Sequence, residues 1–144
     1  MSLETFILNH NVDRGRDLID SDFLKKAENE VEVKFGNELK QYLLTYGYLG
    51  YGYAELYGMN LRMGLNSDMV KQTLYLHKYY PVTAQYVALE NQGDGDYYLV
   101  DSNDRVFEFE TGEAQLRETG WSLFEYIEQR FEGVEKNLSE SAVL

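Results

Sequence analysis

The period of apolar positions changes along the chain, and each change marks an element. Phe23, Leu24, Ala27 and Val31 recur at helical spacing behind Ser21, a capping residue, which predicts a helix over about 22–31. Leu39, Tyr42, Leu43 and Tyr46 form one apolar stripe over 37–46, and Gly47 is placed to end it in the left-handed conformation. From Tyr53 to Tyr57 the period drops to two, with Tyr53, Glu55 and Tyr57 alternating with Ala54 and Leu56 as in a strand. A third helix is predicted over 66–79, with Val70, Thr73, Leu74 and His77 on one face and Pro81 barring its continuation. Strands over 85–90, with Val87 and Leu89 inward, 97–101 and 105–110 are separated by the turn residues of 91–95 and 102–104, so they predict an antiparallel meander. The last helix is marked most fully. Ser122 and Glu125 form a capping box, Trp121 and Tyr126 a hydrophobic staple, and Phe124, Ile127, Phe131, Val134 and Leu138 a seam. A short opening helix over 2–10, anchored by Phe6, and a polar loop over 11–20 precede all of these.

Most strands follow one another without an intervening helix. The expected class is therefore α+β, a single antiparallel-rich sheet with helices packed on one face. No linker or repeat divides the chain, and it holds one proline. One domain over 1–144 is expected, with its core over about 20–132 and a weakly ordered polar tail over 137–144.

Composition narrows the chemistry. The absence of cysteine removes disulfides, thiolate nucleophiles and Cys-bound zinc. No basic residue precedes the short apolar run Phe6-Ile7-Leu8, and no stretch approaches the ~20 apolar residues of a membrane span, so a cytoplasmic location is expected. The net charge of −12 repels phosphate backbones and anionic lipids and draws basic partners, and the basic residues form no stripe, so neither nucleic acid nor membrane is expected as partner. Thirteen tyrosines supply rigid amphipathic area suited both to interfaces and to cores.

No pattern selects a catalyst. His10 and His77 read as a near-terminal and a core-facing histidine, and no serine sits in a Gly-x-Ser-x-Gly setting. The acidic residues of 94–96 and 101–104 are split by the strand Tyr97–Val100 and lack calcium-loop spacing, so they read as turn residues. The glycines at 47, 50, 52, 93 and 95 lack the lysine and spacing of a phosphate loop. Neither cofactor nor metal is expected.

Three stretches carry a resemblance. They are Phe35-Gly36-Asn37-Glu38-Leu39-Lys40-Gln41-Tyr42-Leu43-Leu44-Thr45-Tyr46-Gly47, then Val87 to Asp101 with its Gly/Asp turn and the following Arg105-Val106-Phe107, then Trp121-Ser122-Leu123-Phe124-Glu125-Tyr126-Ile127. In this order the set resembles the SUKH superfamily, the group that includes the yeast cell-wall-synthesis regulator, over roughly 20–132. Phe35-Gly36 stands where that family often has Leu-Pro.

The resemblance implies a non-enzymatic role. Bacterial members are known mainly as cytoplasmic immunity proteins, encoded beside polymorphic toxins, that bind and block the toxin's C-terminal effector domain, often a nuclease. A cognate basic effector domain is then the expected partner, and a monomer or weak dimer the expected state. The expected contact residues are Tyr48, Tyr51, Tyr53, Glu55 and Tyr57 of the Gly/Tyr segment and Asp94, Asp96, Asp104, Glu108 and Glu110 of the acidic meander. Strand alternation requires some of these tyrosines to pack inward. An intracellular scaffold or regulatory adaptor of the same fold is the alternative, and a carboxylate hydrolase a third reading, which requires a pocket of convergent acids.

Overall fold

The computed structural model describes residues 2–15, 19–59, 67–93 and 95–143. In chain order the elements are α1 (Leu3–Asn9), β1 (Asp13–Arg14), α2 (Ser21–Val31), α3 (Asn37–Thr45), β2 (Leu49–Tyr51), β3 (Ala54–Glu55), α4 (Met69–Tyr79), a 3-10 turn (Pro81–Thr83), β4 (Val87–Asn91), β5 (Asp96–Val100), β6 (Arg105–Glu110), β7 (Gln115–Ser122) and α5 (Leu123–Val143). The class is α+β. Where one sheet is expected, the strands form two antiparallel sheets, β1-β2-β3 and β4-β5-β6-β7. Among the described residues one backbone bond joins them: Tyr57 N–H, just after β3, donates to the Leu89 carbonyl of β4 at 2.7 Å.

Local chemistry sets most helix ends. Ser2 Oγ accepts from Thr5 N–H, Asp20 Oδ1 from Phe23 N–H and Asp68 Oδ1 from Lys71 N–H, each satisfying a first-turn donor. The cap of α2 is thus Asp20, one residue before the expected Ser21. Gly47 ends α3 at φ 70°, as expected. At α5 the capping box is present in both directions, Ser122 N–H to Glu125 Oε1 at 2.9 Å and Glu125 N–H to Ser122 Oγ at 3.4 Å. The Trp121 and Tyr126 rings lie 6.3 Å apart, as a staple requires.

Three elements differ from expectation. The predicted strand over 53–57 is the second half of a tight hairpin: Tyr51 pairs with Ala54, and Gly52 turns the chain at φ 56°. In α4 the buried stripe is Met69, Thr73 and Leu76, while Leu74 is exposed. Thr73 Oγ1 accepts from Ala88 N–H of β4, so the polar member of the stripe earns its buried place. The predicted start of this helix at Asn66 lies outside the described residues. The polar run Gln115–Ser122, left unassigned by periodicity, is β7, a largely exposed strand paired with β6. An outer strand has no buried face to imprint a pattern.

The meander is covered on both faces. Val100, Val106, Tyr98, Glu108 and Glu90 share the pleat toward α5, whose Tyr126 stacks on Tyr98 at 5.1 Å. The opposite pleat packs Phe109 against Tyr80 and Phe107 against Tyr86, both from the connection between α4 and β4. One buried cluster runs from Leu3 and Phe6 of α1 to Phe131 and Val134 of α5, so the core begins earlier in the chain than expected. The helix α5 continues to Val143, past Leu138, which is exposed.

Candidate protein-binding face

The β2–β3 hairpin, Ser67 and the end of β4 line an open cavity of about 360 Å³, bordered by Tyr53, Glu55, Tyr57, Ser67, Glu90, Asn91 and Gly93. Its floor is a charged network. Glu90 is 1 % exposed, yet its carboxylate is fully engaged. It accepts from Arg130 Nε at 3.0 and 3.2 Å, pairs with the Arg130 terminal nitrogen at 3.0 Å and accepts from Tyr126 Oη at 2.5 Å. Gln92 Nε2 donates to the same tyrosine oxygen at 2.9 Å. Burial first, then the Glu90 charge, pushes the Tyr126 phenol far above its ordinary range, so it stays a proton donor.

From this floor a chain of contacts runs both ways. Toward the hairpin, the Arg130 guanidinium lies 5.4 Å from the Tyr53 ring centre, and Asn137 Nδ2 donates to Tyr53 Oη at 2.7 Å. Tyr53 is 55 % exposed and held from two sides by α5. Toward the sheet, Tyr126 stacks on Tyr98, and Tyr98 Oη donates to Glu108 Oε2 at 2.9 Å. Burial and then this bond push the Tyr98 phenol up to about 12. Arg117 of β7 pairs with Glu108 at 3.6 Å and Glu110 at 3.4 Å, and Asp96 stands opposite Glu110 in register.

Among the described residues no group of three or more His, Asp or Glu is placed to hold a metal ion. The polar turn residues serve the turns: Asn91 Oδ1 accepts from Gly93 N–H, and Asp101 Oδ1 from Asn103 and Arg105 N–H. Among the described residues no helix is long and apolar enough to cross a membrane.

The family model SUKH_5, described as SMI1-KNR4 cell-wall, matches residues 4–132. The chain belongs to this family. No curated protein matches it.

This SUKH protein brings together only part of the expected contact set. Tyr53, Glu55 and Tyr57 meet at the cavity, and Asp96, Glu108 and Glu110 share the sheet pleat beside it. Asp94 lies outside the described residues. Tyr48, Tyr51 and Tyr57 are buried, and for Tyr51 the cause is the turn at Gly52, which directs its ring onto α1 and α5. The Tyr51 ring meets Phe6 and Phe131, and its hydroxyl donates to Glu135. Contact residues at 48 and 51 are therefore corrected to core residues.

Asp104 is also corrected. It is buried at φ 61° and caps α3 from a distance, its carboxylate accepting from Glu38 N–H at 3.0 Å and Leu39 N–H at 3.1 Å. Glu38 returns the favour to α5 by accepting from Phe124 N–H at 2.8 Å. A Cβ on Gly36 would sit 2.3 Å from the Asp104 carboxylate, so glycine at this SUKH position, in place of proline, makes room for the cap.

Sequence reasoning missed Glu90, Arg130 and the exposed pair Tyr75 and Tyr79 of α4, whose rings lie 4.9 Å apart. The pair was legible: residues 75 and 79 are one turn apart and off the 69-73-76 stripe. Glu90 and Arg130 had no such signal, being 40 residues apart.

Proposed function

We propose that this SUKH protein is a cytoplasmic immunity protein that binds the C-terminal effector domain, a basic nuclease, of a cognate secreted polymorphic toxin and blocks it without catalysis of its own. The observation that carries the reading is the arrangement of Tyr53, a ring held rigid yet exposed, beside Glu55 and the pleat of Asp96, Glu108 and Glu110. A rigid aromatic next to Glu55, a carboxylate with no ion-pair partner among the described residues, is suited to anchor a basic surface, and Glu108 and Glu110 add acidic character although Arg117 pairs with both. The net charge of −12 would speed the encounter by long-range attraction. Family membership supports the same role, since bacterial SUKH proteins are expected to act this way.

Co-expression with the effector domain encoded beside this chain tests it. Restored growth and a co-purified complex whose association slows with added salt are expected. An effector that stays toxic, with no complex at low ionic strength, refutes it. The "cell-wall" in the family description favours a second reading, a regulatory adaptor, and a gene neighbourhood without any toxin would select it.

A further inference from the structure

The cavity beside the β2–β3 hairpin contains an unused hydroxyl. Tyr57 is 7 % exposed and its backbone is fixed, the N–H by the Leu89 carbonyl at 2.7 Å and the carbonyl by Tyr42 Oη at 2.8 Å. Its own hydroxyl has no hydrogen-bond partner among the described residues. No unpartnered side-chain polar atom among them is sealed from solvent, so this oxygen opens onto the cavity that Tyr57 lines. A phenol this deep ordinarily has a partner.

Among the described residues the charge of the cavity is also unbalanced. Arg130 neutralises Glu90. Glu55 on the rim is exposed and has no ion-pair or hydrogen-bond partner among the described residues. The exposed Tyr53 ring, flanked by Arg130, completes the rim. Counted over the described residues, the cavity thus offers one uncompensated carboxylate, one free phenol oxygen and an aromatic surface. An anion would meet Glu55. An apolar group would cover the Tyr57 hydroxyl without satisfying it. A guanidinium has several fixed donors and no acceptor, carries permanent charge, and stacks on rings. The volume of about 360 Å³ falls in the range of ~300–1,000 Å³ typical of ligand sites.

We propose that this cavity is a slot for one arginine side chain of the partner protein, with Glu55 balancing its charge, Tyr57 Oη accepting from the guanidinium and Tyr53 lying against it. The inference rests on the reading of this chain as a binder of a basic protein and names the group that anchors it.

The test needs no toxin. The full chain, labelled with nitrogen-15, is titrated with N-acetyl-arginine-amide and separately with N-acetyl-citrulline-amide, a neutral analogue of the same shape, at constant ionic strength. Saturable shifts at the amides of Glu55, Tyr57, Asn91 and Gly93 are expected, with the citrulline compound about tenfold weaker or worse. Glu55→Gln and Tyr57→Phe, both conservative in size, are each expected to weaken arginine binding severalfold. Equal shifts from both compounds, no saturation, or unchanged binding in the double variant overturns the slot. Rescue of growth in co-expression alongside such a failure would leave the immunity role standing and remove only the slot. Arginine binding in a chain that rescues from no effector would do the reverse.

Discussion

Replacing Arg130 by methionine keeps the unbranched apolar stem of the side chain and removes the guanidinium from above Glu90. The carboxylate of Glu90 is 1 % exposed and that side of Arg130 is 18 % exposed, so water can reach the pair only from the arginine side. Removing one member of a buried pair costs about 3–5 kcal/mol, because the other charge is left without a counterpart. Partial access places this variant near the lower end, at about 3 kcal/mol, which is about two orders of magnitude in the folding equilibrium. Tyr126 Oη still donates to Glu90 but cannot balance a full charge. The assay is urea unfolding followed by tyrosine and tryptophan fluorescence, with an unchanged m value as the check that only stability moved. The decisive comparison adds Glu90→Gln. In the native background this change strands the more accessible Arg130 and is expected to cost about 1–2 kcal/mol. In the Arg130→Met background it removes the uncompensated charge, keeps an oxygen for Tyr126, and is expected to return about 2 kcal/mol. If Glu90→Gln shifts stability by the same amount in both backgrounds, the two side chains do not form the unit described.

Gly36→Ala forces the Asp104 carboxylate away from the start of α3, so it and Asp104→Ala are each expected to cost about 1–2 kcal/mol, and the double variant little more than either alone, in the same unfolding assay. The Tyr51 phenol is pushed up to about 12, first by its hydrogen bond to Glu135. A raised phenol stabilises the fold fully below about pH 10, and that contribution is lost as pH climbs toward 12, so Tyr51→Phe is expected to flatten the alkaline fall in stability. The same bond holds Glu135 below the usual carboxylate range, a contribution present above the unfolded value and lost as pH falls below it. Tyr51→Phe is therefore expected to flatten the acid limb as well, and a variant with both limbs unchanged in unfolding at stepped pH would refute the pairing. Tyr53→Ala, at an exposed ring, is expected to leave stability within about 1 kcal/mol of native while weakening the effector complex at least tenfold by calorimetry.

The helical stripe of α2, except for Phe23, which is exposed, the stripe of α3, the Ser122–Glu125 capping box and the order of the meander were determined by the sequence itself. Each depends on residues within a few positions of one another, and neighbours along the chain carry that information whatever the rest does. The alternation of Tyr53, Glu55 and Tyr57 with Ala54 and Leu56 is local in the same way, and the structure places Tyr53 and Glu55 of the β2–β3 hairpin on the cavity. Which tyrosines of that hairpin face solvent was not legible. Tyr51 and Tyr53 are two residues apart, and a strand would place them on one side, but the turn at Gly52 sends Tyr51 into the core and leaves Tyr53 outside. The role of Asp104 was hidden too, because a cap ordinarily sits beside the helix it serves and this one lies 66 positions from Glu38. Glu90 and Arg130 meet only when β4 and α5 pack. Long-range closure decides these matters, because a buried carboxylate is tolerable only where a cation from another element reaches it, and no local pattern records which one will.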